Sequence, residues 1–342
     1  MSAPSLNSLI SLISLSSALK SALKSAPVCT LTMRYLSLLL LLLVGCLSTP
    51  QRNDNANADV DDTTPRQLDL PFNSLGDITS YEQLQHCIAH YWDDLDFRAG
   101  SAIEEYNRND LYAAFAQYVL IIPHNEADSL LRSLMHRAEQ SREVLDLFSE
   151  MARDVLYDPN APTRNDEYYI PVLETLLDSE LLDEYDKIIP QTELHTVLQN
   201  RLGHIANDFD YTLADGHHHT LHSLRADYTI LLFNNPGCEM CKSIIEQIEA
   251  SELIKSLSRS HDIKILAIYP DEDIEAWHNY LHTMPRGWIC GYDKELRLTS
   301  ERLYDLKAIP SLYLLDSTKR VIIKDGSSVA QLEQALYNLT QR

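Results

Sequence analysis

What this 342-residue chain has little of sets its first limits. It has no cluster of lysine and arginine: 28 basic residues stand against 50 acidic ones, for a formal net charge of −22. A polyphosphate backbone is held by grouped cations and repelled by a field of this sign, so nucleic acid is disfavoured as a partner. The Leu-rich run from Leu36 to Val44 falls well short of the roughly 20 apolar residues that a comfortable transmembrane helix needs. Six cysteines, at positions 29, 46, 87, 238, 241 and 290, are too few and too dispersed for a scaffold built on disulfides. Only Cys238 and Cys241 are close in sequence. Cys87 and Cys290 read either as isolated buried thiols or as a bridge formed in an oxidising compartment.

The Leu-rich run is preceded by Arg34 and followed directly by Gly45-Cys46. This segment resembles a bacterial lipoprotein signal ending in a lipobox. The resemblance implies that Cys46 is lipidated and becomes the mature N-terminus, closing a leader and signal over residues 1–46. Residues 1–32 are Ser- and Leu-rich and unusual ahead of such a signal, which makes Met33 a candidate true start. Residues 47–70, rich in Asn, Asp, Thr, Pro and Gln, lack periodicity and read as a flexible tether. An acidic, soluble body held to a membrane by lipid, without basic surface attraction, fits this layout. The expected location is the bacterial cell envelope, facing the periplasm.

Beyond the tether the pattern becomes helical over 71–202. Leu84, Cys87, Ile88 and Tyr91 recur at three-four spacing, as do Leu111, Phe115, Tyr118 and Val119. Residues 128–158 read as one long helical segment, broken after it by Pro159 and Pro162; 168–182, with Pro171 in its first turn, and 191–202 complete four to six helices. No tetratricopeptide-like recurrence is evident. From 203 to 342 the rhythm changes. Strands are expected at 228–233, 263–269, 311–315 and 320–324, with helices from the dithiol to about 257 and at 274–281, 301–306 and 329–339. Alternation of this kind gives an α/β domain with a central mixed sheet behind an all-α domain, and about 140 residues suffice for a core of its own.

Cys238-Glu239-Met240-Cys241 lies between the apolar run Tyr228–Phe233 and a helical pattern. A helix N-terminus favours a thiolate, whereas burial alone holds a cysteine neutral. A bare CxxC also serves zinc sites, but neither Cys290 nor the run His217-His218-His219 supplies a second ligand pair at diagnostic spacing, so no metal and no cofactor are assigned. The strand–turn–CxxC–helix order, together with Ile309-Pro310-Ser311, Asp208-Phe209 and Asp215-Gly216, resembles the thioredoxin-like superfamily, in particular the TlpA- and ResA-like thiol–disulfide oxidoreductases. The resemblance spans about Gly203 to Arg342. It implies that Cys238 is the nucleophile and Cys241 the resolving thiol, that Pro310 is cis, and that Ile309 and Pro310 present backbone to an extended substrate. Asp208-Phe209 and Asp215-Gly216 match the family's opening hairpin.

Departures from the family pattern matter as well. Glu239-Met240 replaces the Gly-Pro pair familiar in thioredoxins, and a negative charge at Glu239 opposes the helix dipole, pointing toward a reductase or isomerase. The strand position six before Cys238, where such folds often carry a buried acid, is Leu232. Glu246 is then a candidate for proton transfer, with a solvated helix residue as the bland alternative. Trp288 is a candidate for covering the pocket or positioning substrate, against a half-buried packing role. The order of the whole chain is similar to lipoproteins of Bacteroidetes-like bacteria in which a helical domain of unknown function precedes a thioredoxin-like module. Expected partners are protein thiols or disulfides, an apocytochrome among the candidate clients, and an upstream electron donor in the envelope. The opposing class is a noncatalytic protein-binding lipoprotein whose CxxC is a structural disulfide.

Overall fold

The computed structural model describes residues 65–71, 75–98, 100–326 and 328–341; Met33, Cys46 and most of the expected tether lie outside the described residues. These residues divide into two compact units, one ending at His90 and one holding 67–69 and everything from Tyr91 onward. The first contains a 3-10 turn, Leu75–Asp77, and helix α1, Tyr81–His90. The start of α1 is fixed by a reciprocal cap. Ser80 Oγ accepts from the Gln83 amide at 3.1 Å and Gln83 Oε1 accepts from the Ser80 amide at 3.2 Å, which satisfies two of the amides that every helix leaves open at its beginning. Cys87 and Ile88 are its buried residues.

The second unit opens with helices α2 (Gly100–Glu104), α3 (Arg108–Ile121), α4 (Ala127–Ala138), α5 (Arg142–Leu156), α6 (Asp166–Asp178) and α7 (Ile188–Val197). The apolar stripes expected from the sequence are buried: Leu111, Phe115, Tyr118 and Val119 all face inward. An aromatic cluster fills the space between helices, with the Trp92 ring 5.1 Å from Phe148 and Tyr91 5.1 Å from Tyr118. Tyr91 satisfies its buried hydroxyl by donating to the Ala114 carbonyl at 2.8 Å.

The single helix expected over 128–158 is two helices. The chain leaves α4 at Glu139 and restarts from Ser141, whose backbone is extended (φ −144°, ψ 141°); neither glycine nor proline marks the break. Helix α6 begins earlier than expected because Asn165 caps it, accepting from the amides of Glu167 and Tyr168 at 3.1 and 3.3 Å. Pro171 therefore lies within the helix, past the first turn.

The sheet has seven strands: β1 (Asp210–Leu213), β2 (His218–Thr220), β3 (Tyr228–Phe233), β4 (Ile263–Tyr269), β5 (Ile289–Tyr292), β6 (Ser311–Asp316) and β7 (Val321–Gly326). Their order is β2-β1-β5-β4-β3-β6-β7. β3 and β5 run parallel to β4, while β6 is antiparallel to β3 and to β7. The remaining helices are α8 (Glu239–Ala250), α9 (Glu252–Leu257), α10 (Ile274–Tyr280), α11 (Arg297–Ser300) and α12 (Val329–Thr340). Alternation along each strand sends residues to two different cores. Ile230, Leu232, Leu312 and Leu314 pack with Ile244, Ile245 and Ile248 of α8 and Leu332 and Leu336 of α12. Leu231, Phe233, Leu266, Ile268, Tyr313 and Leu315 pack with Phe209, Leu298 and Tyr304.

Three sequence expectations change here. The helix after the dithiol is interrupted at Ser251, which leaves the helical region (ψ 109°) and caps α9 by accepting from the Ile254 amide. No helix forms over 301–306; the turn of helix there is α11, and Arg302 has positive φ (50°). Ile289–Tyr292, where no strand is expected, forms β5, paired through Leu266↔Ile289 and Ile268↔Gly291. On its other edge β5 pairs with β1 through Leu213↔Gly291, and Gly291 permits that approach, since a Cβ there would lie 2.7 Å from the Tyr211 ring of β1.

Candidate functional site: a dithiol beside a cis-proline turn

The central strand β3 has Ile230 to Phe233 fully buried and runs out at Asn234, whose amide continues the ladder to the Ile268 carbonyl at 3.0 Å. Asn235 then donates to Asp271 at 2.6 Å, tying the turn to the segment after β4. Gly237 adopts φ +76°, a conformation that costs a side-chain-bearing residue heavily and glycine little. The turn delivers Cys238 as the N-cap of α8.

At that position the sulfur replaces the usual capping oxygen. The Cys241 amide donates to Cys238 Sγ at 3.1 Å, and the Lys242 amide donates to the Cys238 carbonyl at 3.1 Å. An amide aimed at the sulfur, at the positive end of a helix, is an arrangement that stabilises a thiolate. Cys238 is half-buried, whereas Cys241, one turn in, is fully buried. The two are joined as a disulfide with Cα atoms 5.2 Å apart. This asymmetry gives a disulfide whose outer sulfur can be reached and whose inner one is shielded.

Also beside the sulfur lies the turn that precedes β6. The Ile309–Pro310 peptide is cis, and the Ile309 carbonyl oxygen is 3.8 Å from Cys238 Sγ. Met240, which the sequence reading did not single out, is 65% exposed on the first turn of α8. With half-buried Ile309 and Pro310, it supplies apolar surface in the segments that carry and face the Cys238 sulfur. An unbranched thioether at such a place adapts to varied partners.

The other candidates fall elsewhere. Glu239 is exposed in the first turn of α8. Glu246 is also exposed; five residues past Cys241, it lies about 140° around the helix from it. Leu232 is fully buried in the aliphatic core under α8. Trp288 packs against that same core and donates its indole N–H to Glu249 at 2.8 Å, near the C-terminal end of α8, while the dithiol occupies its start. Cys87 and Cys290 are free thiols. Burial pushes the Cys290 thiol up to about 11. The three histidines diverge: His217 faces Asp215, His218 bonds Thr212, and His219 stacks on Tyr211.

Residues 60–200 match the family described as a domain of unknown function (DUF5106), and residues 226–321 match the family described as thioredoxin-like. A crystal structure of a thioredoxin-like protein from Bacteroides caccae is 35% identical, with 80% of this chain and 99% of that chain covered and a TM-score of 0.73. The C-terminal domain of an uncharacterized protein from Bacteroides fragilis is 44% identical, covering 40% of this chain and 98% of that one, with a TM-score of 0.39. Among curated proteins, probable nucleoredoxin 1 of Arabidopsis thaliana is 26% identical over 137 residues, 40% of this chain. The chain spans 22% of the length of that relative. The chain belongs to the thioredoxin-like family, with a helical DUF5106 region ahead of its sheet domain.

Proposed function

We propose that this protein is a thiol–disulfide oxidoreductase of the bacterial envelope, tethered through lipid on Cys46, that reduces or isomerises disulfides in client proteins. The observation that carries the reading is the half-buried Cys238 sulfur, set between the helix-start amide of Cys241 and the Ile309 carbonyl. In the reduced state the Cys238 thiolate attacks one sulfur of a client disulfide. A Cys238–client bond forms, and the other client sulfur leaves as a thiolate and takes up a proton. Deprotonated Cys241 then attacks Cys238 Sγ, closing the internal disulfide and releasing the second client thiol. The client gains two electrons and the protein loses two, which an envelope dithiol donor must restore. Met240, Ile309 and Pro310 offer apolar and backbone contact to the client chain.

The test is a trap. Reduced Cys241→Ser protein mixed with a peptide disulfide is expected to accumulate a covalent adduct through Cys238, whereas wild type turns over and releases reduced peptide. A wild-type pair that stays bridged under reducing envelope conditions, with no adduct in the variant, would favour the noncatalytic alternative in which the bridge is structural.

A further inference from the structure

Between α11 and β6, residues 303–310 form neither helix nor strand. Their backbone has no ladder to hold it, so side chains must fix it. The side chains that do so come largely from the helical region. The Arg164 guanidinium, from the loop before α6, bonds Asp305 at 3.1 Å through one nitrogen and Asp325 of β7 through another. Asp305 lies four residues ahead of Ile309. Asp325 is next to Gly326, which pairs with Leu312 at the beginning of β6. A single planar fork thus grips both flanks of the cis-proline turn, whose Ile309 carbonyl meets the Cys238 sulfur. Lys307 adds a second tie, with its amine 3.0 Å from the centre of the Tyr157 ring and 2.8 Å from Asp305.

These charges are well covered: side-chain exposure is 15% for Arg164, 6% for Asp305 and 12% for Asp325. Removing Arg164 would leave Asp325 buried without its cation, while Asp305 keeps Lys307. Burial pushes the Asp325 carboxyl above its usual range, against the pull of Arg164.

We propose that Arg164 is a positioning residue: from the helical region it fixes the Ile309–Pro310 rim against which a polypeptide disulfide aligns beside Cys238. This rests on the redox reading above and gives the helical region a part in client exchange. A small reagent that needs only the sulfur does not use the rim; a peptide does.

The experiment compares two rates on the reduced full chain: exchange of Cys238 with a peptide disulfide, and its alkylation by iodoacetamide. Arg164→Met and Asp325→Asn are expected to slow peptide exchange at least fivefold while alkylation stays within twofold of wild type. Arg164→Lys, which keeps the charge but loses the fork, is expected to fall between. Asparagine tolerates the positive φ of 48° at position 325, so Asp325→Asn carries both readouts if Arg164→Met does not fold. Peptide exchange unchanged in the folded variants, or both rates falling together, would overturn the positioning role. A wild-type dithiol inert toward the peptide would sink the redox reading and this inference with it.

Discussion

The two faces of the sheet are built from different materials. One is aliphatic: Ile230, Leu232, Leu312 and Leu314 meet the isoleucines of α8 and the leucines of α12. The other is aromatic and edged with polar groups: Phe209, Phe233, Tyr304 and Tyr313 pack together, and Tyr304 donates to the Asn207 carbonyl at 2.8 Å. Helix α8, which carries the dithiol, sits on the aliphatic face, where non-directional packing holds it. Directional contacts serve the other side of the site, where the unladdered segment before Pro310 depends on hydrogen bonds and ion pairs. Asn200 Nδ2 donates to the Leu303 carbonyl at 2.7 Å, and Lys324 to the Val197 carbonyl at 2.8 Å. Apolar packing therefore sets the helix that carries Cys238, and polar contacts set the turn that faces it.

The largest effect belongs to the sulfur itself. Cys238→Ser is expected to abolish dithiol-dependent reduction of a peptide disulfide, measured by release of free thiol, while leaving the fold intact by circular dichroism. Cys290 gives the next contrast. Strand alternation puts it on the aliphatic face with Trp288. With its thiol pushed up to about 11 by burial, its thiolate fraction at pH 8 is roughly two orders of magnitude below that of an ordinary cysteine. Native-state alkylation mapped by mass spectrometry should spare it at pH 8. Its rate should climb about tenfold per pH unit up to its pKa, because only the thiolate reacts.

Leu232→Ala, which opens a cavity under α8, is expected to cost about 3 kcal/mol in denaturant unfolding. A loss well below this would mean that the aliphatic face relaxes around the gap. The smallest effects concern two tyrosines on the aromatic face, with ring centres 5.3 Å apart. Tyr304→Phe gives up a hydrogen bond and should destabilise by about 1 kcal/mol. Tyr313 has a buried hydroxyl without a hydrogen-bond partner among the described residues, so Tyr313→Phe should be neutral or stabilising by up to about 1 kcal/mol. Equal losses at both positions would erase the distinction between them.

The aliphatic face was the more legible of the two. Strands β3 and β4 follow from short, mostly apolar runs interrupted only by Thr229 and Lys264, and α8 from its periodicity and the dithiol at its start. Pro310 is cis, as the resemblance implies. The polar side was hidden. Arg164 and Asp325 are 161 residues apart, and an isolated arginine carries no periodicity that would reveal its partners. Strand β5 was missed because Ile289–Tyr292 is four residues long and follows Pro285 and Gly287, which read as a turn. The break at Glu139 to Ser141 was missed because residues compatible with a helix continue through it. Local pattern reveals elements that bury a stripe; it does not reveal contacts fixed by a fold already formed.

The central claim, that Cys238 and Cys241 form a working redox couple, is tested most directly by equilibrating the protein across glutathione and dithiothreitol buffers of known potential and counting free thiols. One reversible transition in which both thiols appear together is expected. It should follow two-electron behaviour, about 30 mV for each tenfold change in the ratio of oxidised to reduced protein. A pair that remains bridged throughout, or two cysteines that titrate independently, would contradict it.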